Sequence, residues 1–133
     1  MTGRIAPSIP RRPRLVLAYA DSAYASLCAR HFRRLGWEVH LASSGPDARR
    51  LVACSEPHVV VLDTQLPEES GWLTCAKLTV GAAPLRVIMV ASELTENNLQ
   101  KARDAGAAAI VAKTNGVETL ASEILTRALQ QAG

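Results

Sequence analysis

His58-Val-Val-Val-Leu-Asp63 is the stretch that decides the fold. Four apolar residues in a row, three of them β-branched, carry no polar alternation, so they do not suit a strand with one wet face. They suit a short strand buried on both faces, as in the middle of a parallel sheet. The run ends on a single carboxylate, Asp63, and in open parallel sheets ligand chemistry gathers at the carboxyl ends of the strands.

Outward from this strand the chain alternates two periods. Arg14 to Tyr19 reads as a buried strand, and Ser22 is placed to cap a helix with apolar residues at Tyr24, Leu27, Cys28, His31 and Leu35, ended by Gly36. Trp37 to Ala42 reads as the second strand, and Ser44-Gly-Pro-Asp47 opens the second helix, with Pro46 in its first turn and Asp47 at the positive end of its dipole. Beyond Asp63, a turn-rich stretch from Gln65 to Gly71 leads to a helix running to Val80. Leu85 to Ala91 is the fourth strand, Leu94 to Ala105 the fourth helix, and Ala108 to Ala112 a short fifth strand. Val117, Leu120, Ala121, Ile124, Leu125 and Ala128 give the last helix one apolar face. Strands alternating with helices imply right-handed crossovers, so the expected architecture is an α/β three-layer sandwich, a five-stranded parallel sheet with five helices.

Composition agrees with one domain: 133 residues, 48% apolar and 20% charged. The expected division is a flexible basic tail over 1–13 and a domain over 14–131. Arg4, Arg11, Arg12 and Arg14 lie in an acid-free start, and without them eleven bases face twelve acids, so the net charge of +3 belongs to the tail. Pro7, Pro10 and Pro13 interrupt the tail and no aromatic accompanies its arginines, which argues against nucleic-acid binding. No apolar run is long enough for a membrane span, and no apolar segment follows the early arginines as a secretory leader requires. Cys28, Cys54 and Cys75 form no Cys-x-x-Cys pair and His31, His40 and His58 are scattered, so buried thiols in a reducing cytoplasm are expected and a zinc site is not.

The strand ends offer Tyr19, Ala20 and Asp21 after the first strand, Asp63 after the third, Ala91 and Ser92 after the fourth and Lys113 after the fifth. A glycine-rich dinucleotide fingerprint, a P-loop and a nucleophile elbow are all absent. What remains is Asp63, with Lys113 one strand end away.

Residues 14 to about 130 resemble the receiver domain of bacterial two-component response regulators, a CheY-like, flavodoxin-like fold. Three motifs carry the resemblance: Val59-Val-Val-Leu-Asp63 with Pro67 four and Gly71 eight residues beyond it, Ala42-Ser-Ser-Gly-Pro-Asp-Ala48, and Ala105-Gly-Ala-Ala-Ala-Ile-Val-Ala-Lys113. The resemblance implies Asp63 as phosphoacceptor and Lys113 as the partner of a phosphoryl oxygen. It also implies a magnesium ion held by two acids after strand 1, the acceptor, and the backbone carbonyl of Gln65. Such chemistry is mostly positioning and charge neutralisation.

The sequence departs from that pattern. The acidic pair falls on Tyr19 and Ala20; Asp21 comes one place late and becomes a metal ligand only on a register shift of one. The switch hydroxyl falls on Ala91, with Ser92 beside it, and the switch aromatic on Ile110. Magnesium is therefore expected to bind weakly if at all. Tyr19 is expected to fill the emptied metal pocket, and Asp63 and Lys113 read equally as a partly buried ion pair. The residues support a stand-alone, non-enzymatic receiver-like module, a pseudo-receiver acting by protein–protein contact with weak or no dependence on phosphate. Its partner would be a histidine kinase, a downstream signalling protein or a second copy, met through the face of helix 4, strand 5 and helix 5. A working single-domain response regulator phosphorylated on Asp63 by a histidine kinase is the alternative, and a small flavodoxin-like ligand binder the third reading.

Overall fold

A computed structural model describes residues 12–81 and 85–132, so most of the expected tail lies outside the described residues. The elements follow in the order β1 (Arg14–Ala18), α1 (Ser22–Arg34), β2 (Glu38–Ala42), α2 (Gly45–Ser55), β3 (Val59–Asp63), α3 (Gly71–Thr79), β4 (Arg86–Ala91), α4 (Glu96–Ala105), β5 (Ala109–Ala112) and α5 (Gly116–Ala132), with a 3-10 turn at Lys113–Asn115 before α5. All strands pair in parallel in the order β2-β1-β3-β4-β5. The α/β sandwich read from the alternating pattern is the observed one.

Alternation along each strand divides the interior in two. Leu15, Leu17, Val59, Val61, Ile88 and Val90 pack under α1 and α5, which contribute Ala25, Cys28, Ala29, Phe32, Leu120 and Ile124. Val16, Ala18, Val60, Leu62, Val87 and Met89 pack under Ala48 of α2, Cys75 of α3 and Ala105 of α4. Val59 to Leu62 are wholly buried, as their unbroken apolar run demands. Burying each such side chain stabilises the fold by about 1.5–3 kcal/mol.

Several local expectations are corrected. Asp21, not Ser22, caps α1, its side chain accepting from the backbone of Ala23 and Tyr24. The helix is also turned from the expected phase: Ala25, Cys28, Ala29 and Phe32 face the core, whereas Leu27 and Leu35 are 60% and 58% exposed. Phe32 is the large anchor the spacing did not single out, and the buried small residues around it let α1 lie close to the sheet. His31 is half-buried, edge-on to the Phe32 ring at 5.3 Å. Trp37 is buried just before β2. Thr95 caps α4, leaving Leu94 outside the helix and exposed, and Leu125 of α5 is also exposed. Ser44 caps α2 as expected, accepting from Asp47 N.

Candidate functional site

The strand order reverses direction between β1 and β3, so the crevice of such a sheet opens there, between the segments that follow these two strands. Asp63 closes β3 and Lys113 follows β5. The structure brings them together: Lys113 Nζ donates to Asp63 Oδ2 at 2.8 Å, and the Gln65 backbone N–H donates to Oδ1 at 3.1 Å. Both carboxylate oxygens are engaged, and the Asp63 side chain is almost enclosed.

Gly71 fixes the return of the chain after Asp63. A Cβ at this position would collide with the Asp63 carbonyl oxygen and stand 2.9 Å from its carbonyl carbon, so only glycine fits where the loop folds back to open α3. This gives the glycine eight residues beyond the acid a physical reason.

Where the resemblance places an acidic pair, the structure has an aromatic wall. Tyr19 is 1% exposed, and its ring meets that of Tyr24 edge-on at 5.0 Å. The Lys113 ammonium stands 5.8 Å from the centroid of each ring. The cation thus has the Asp63 carboxylate on one side and two π faces on another, both favourable to positive charge. The Tyr19 hydroxyl is buried beside the Cys28 thiol without a hydrogen bond of full geometry. Burial pushes the Tyr19 phenol far up and that of Tyr24 up to about 12, with Cys28 adding to both. Both rings are neutral phenols at any working pH, so neither replaces an anionic metal ligand.

The other expected positions are as follows. Ala20 is exposed and carries no donor. Asp21 is exposed, its Oδ1 taken by the backbone of Ala23 and Tyr24 at 3.0 and 3.2 Å. Ala91 is buried at the end of β4, whereas Ser92 is exposed in the loop beyond. Ile110 lies half-buried against the core under α2, α3 and α4, paired with Met89 in the sheet. Among the described residues no three His, Cys, Asp or Glu side chains gather at one point. A magnesium ion needs several oxygen ligands in near-octahedral order. Asp63 and the Gln65 carbonyl, with an ammonium already on the carboxylate, do not fit it.

Sequence reasoning missed two features here. Tyr24 was assigned to the apolar face of α1, yet it walls the Lys113 site. The second feature is Glu69, within the loop that follows Asp63. Its buried carboxylate accepts from Arg49 of α2 at 3.0 and 3.1 Å, from Lys77 of α3 at 2.8 Å and from the Thr74 hydroxyl at 2.6 Å. Arg49 first, then Lys77 and Thr74, hold its carboxyl down at about 2. The cluster ties the loop to both neighbouring helices, and it fastens a turn in which Glu68 adopts a left-handed φ of 69°. That conformation costs a non-glycine residue about 1–2 kcal/mol.

Fold and edge together define an open, doubly wound α/β domain with a lone Asp–Lys pair at its strand ends and no phosphate-cradling glycine loop. The family model of the response regulator receiver domain matches residues 17–125, and the chain belongs to that family. Among curated relatives, protein-glutamate methylesterase/protein-glutamine glutaminase 2 of Rhodopseudomonas palustris (strain BisB18) is 38% identical over 87 residues, 63% of this chain and 23% of that protein. The uncharacterized transcriptional regulatory protein YvcP of Bacillus subtilis (strain 168) is 29% identical over 112 residues, 84% of this chain and 46% of that protein. The chain therefore spans less than half the length of either. Among solved structures, the CheY-like response regulator receiver domain protein from Methanospirillum hungatei JF-1 superposes with a TM-score of 0.84 at 19% identity, covering 92% of this chain and 99% of that one. The signal receiver domain of a LuxO repressor protein from Vibrio parahaemolyticus gives 0.82 at 21% identity, covering 91% and 92%.

Proposed function

We propose that this receiver domain is a pseudo-receiver: a cytoplasmic, non-enzymatic signalling module that binds a protein partner in one standing conformation, with weak or no dependence on phosphorylation. Receiver domains in general bind magnesium at the phosphorylation site and pass the signal between histidine kinases and downstream proteins. The observation that carries the proposal is the internal cation. Lys113 already sits on Asp63 and against the rings of Tyr19 and Tyr24, where receiver chemistry asks for acids and a divalent ion. The switch positions support it. Ala91 has no hydroxyl to reach a phosphoryl oxygen, and Ile110 is a stiff branched side chain without a polar tip. The differential contacts by which phosphate would favour one state over another are missing. The partner face would be that of α4, β5 and α5, used alike for a downstream protein or a second copy. No described helix is long and apolar enough to cross a membrane.

One observation favours the alternative, a working regulator phosphorylated on Asp63 by a histidine kinase: Asp63 and Lys113 are both present and in contact. No observation favours a small-molecule binder. Incubation with acetyl phosphate and magnesium, read by intact mass, separates the two readings. The pseudo-receiver is expected to stay unmodified; a stoichiometric phosphoryl adduct lost in Asp63→Asn would support the working regulator.

A further inference from the structure

Between Ser22 and Trp37 the chain carries no acid, but it carries Arg30, His31, Arg33 and Arg34. Two shallow depressions meet at this end of the molecule. One is lined by Ser26, Arg30, Arg33 and Arg34, the other by Arg12 and Arg33 together with Gly36 and Trp37. The nearest carboxylate, Glu38, is bonded to His40 at 2.8 Å. Arg33 is in use, donating to the Val39 carbonyl of the edge strand β2 at 2.9 Å. Arg30 and Arg34 make no ion pair or hydrogen bond among the described residues.

The helix dipole favours bases in the last turn of α1, which accounts for His31, Arg33 and Arg34. It does not account for Arg30, nor for two leucines left largely exposed on the same helix end, Leu27 and Leu35. Leu27, Arg30 and Arg34 recur at spacings of three and four, so they share one outer face of α1. From Leu27 to Leu35 that face runs about 12 Å, two turns of a helix laid alongside.

We propose that the outer face of the carboxyl-terminal half of α1 docks an acidic, amphipathic segment of a partner protein. Its carboxylates would meet Arg30 and Arg34, and its apolar side chains would cover Leu27 and Leu35. This combination of cations and apolar anchors fits helix recognition. A nucleic-acid backbone would leave both leucines uncovered, and Trp37 is too buried to stack on a base. The face lies where β2 begins, at the pole of the sheet away from Asp63, so its occupancy does not depend on whether Asp63 is phosphorylated.

The test uses four fluorescent probes: a designed helical peptide of Glu and Leu in amphipathic order, its Lys-for-Glu counterpart, a leucine-free polyglutamate peptide of equal charge, and a short DNA duplex. Anisotropy titrations would compare the wild-type chain with Arg30→Glu/Arg34→Glu and with Leu27→Ser/Leu35→Ser. All substitutions lie on the exposed face, and circular dichroism checks the fold. The amphipathic acidic peptide should bind the wild type at least about tenfold more tightly than either variant, and the charge-reversed variant should prefer the Lys peptide. Binding that survives charge reversal, equal binding of polyglutamate or duplex, or no binding of the acidic peptide would each overturn the proposal.

Discussion

Replacing Glu69 by Gln removes a buried charge from between two cations while keeping its size. The folded-state carboxyl titrates at about 2 against an ordinary 4.5. At about 1.4 kcal/mol per pH unit, this difference corresponds to roughly 3 kcal/mol as an upper bound. Its partners Arg49 and Lys77 are 37% and 46% exposed, so solvent screens the cluster and about 1–2 kcal/mol remains. The sign follows from the lowered value. The contribution is complete above about pH 4.5, where the unfolded carboxyl is ionised, and it is lost as pH falls toward 2. Urea unfolding of wild type and Glu69→Gln at a series of pH values reads it directly. At pH 7 the variant should be less stable by about 1–2 kcal/mol, with an unchanged m-value, and the two curves should converge below pH 3. Equal stability at pH 7, or a gap that persists unchanged at low pH, would refute the claim that the charged carboxylate fastens this loop.

Lys113→Ala should cost about 1–3 kcal/mol, because it leaves Asp63 enclosed and poorly compensated, and the double variant with Asp63→Ala should cost less than the sum of the singles; strictly additive losses in the cycle would show that the pair does not interact. About 5 mM magnesium should raise the melting temperature by less than about 1 °C, since the donors present do not fit the ion; a rise of several degrees would contradict this. Gly71→Ala should destabilise by about 1–3 kcal/mol through the collision with the Asp63 carbonyl, checked by denaturant midpoint, and a neutral result would mean that the loop shifts freely.

The central strand was legible because burial on both faces leaves no choice of residue: Val59 to Leu62 cannot be read as amphipathic. The Asp63–Lys113 pair was legible for a related reason, since strand ends in a parallel sheet meet at one edge. The facing of α1 was not. A helix dense in both small and large apolar residues admits more than one phase, and only docking against the sheet selects Phe32 over Leu27 and Leu35. Asp21 and Ser22 are both competent caps, and the choice of Asp21 removes the one acid that a register shift would have offered to a metal. Glu69 had no local signal at all. Its partners lie twenty residues before and eight residues after it, joined only when α2 and α3 close on the loop. Tyr24 was read as packing, and it is packing, but against an ammonium.

The central claim is that Lys113, held by Asp63, Tyr19 and Tyr24, stands where a metal and a phosphoryl group would act, and that the face of α4, β5 and α5 has one conformation. Amide spectra of the full chain, recorded with magnesium alone and then with magnesium and beryllofluoride as a phosphoryl mimic, test this most directly. The account predicts superimposable spectra, with no resonance from Ala91 through Lys113 or along α5 displaced. A second set of resonances over β4, α4 and β5 that saturates with beryllofluoride and vanishes in Asp63→Asn would show a domain that still switches, and would contradict the account.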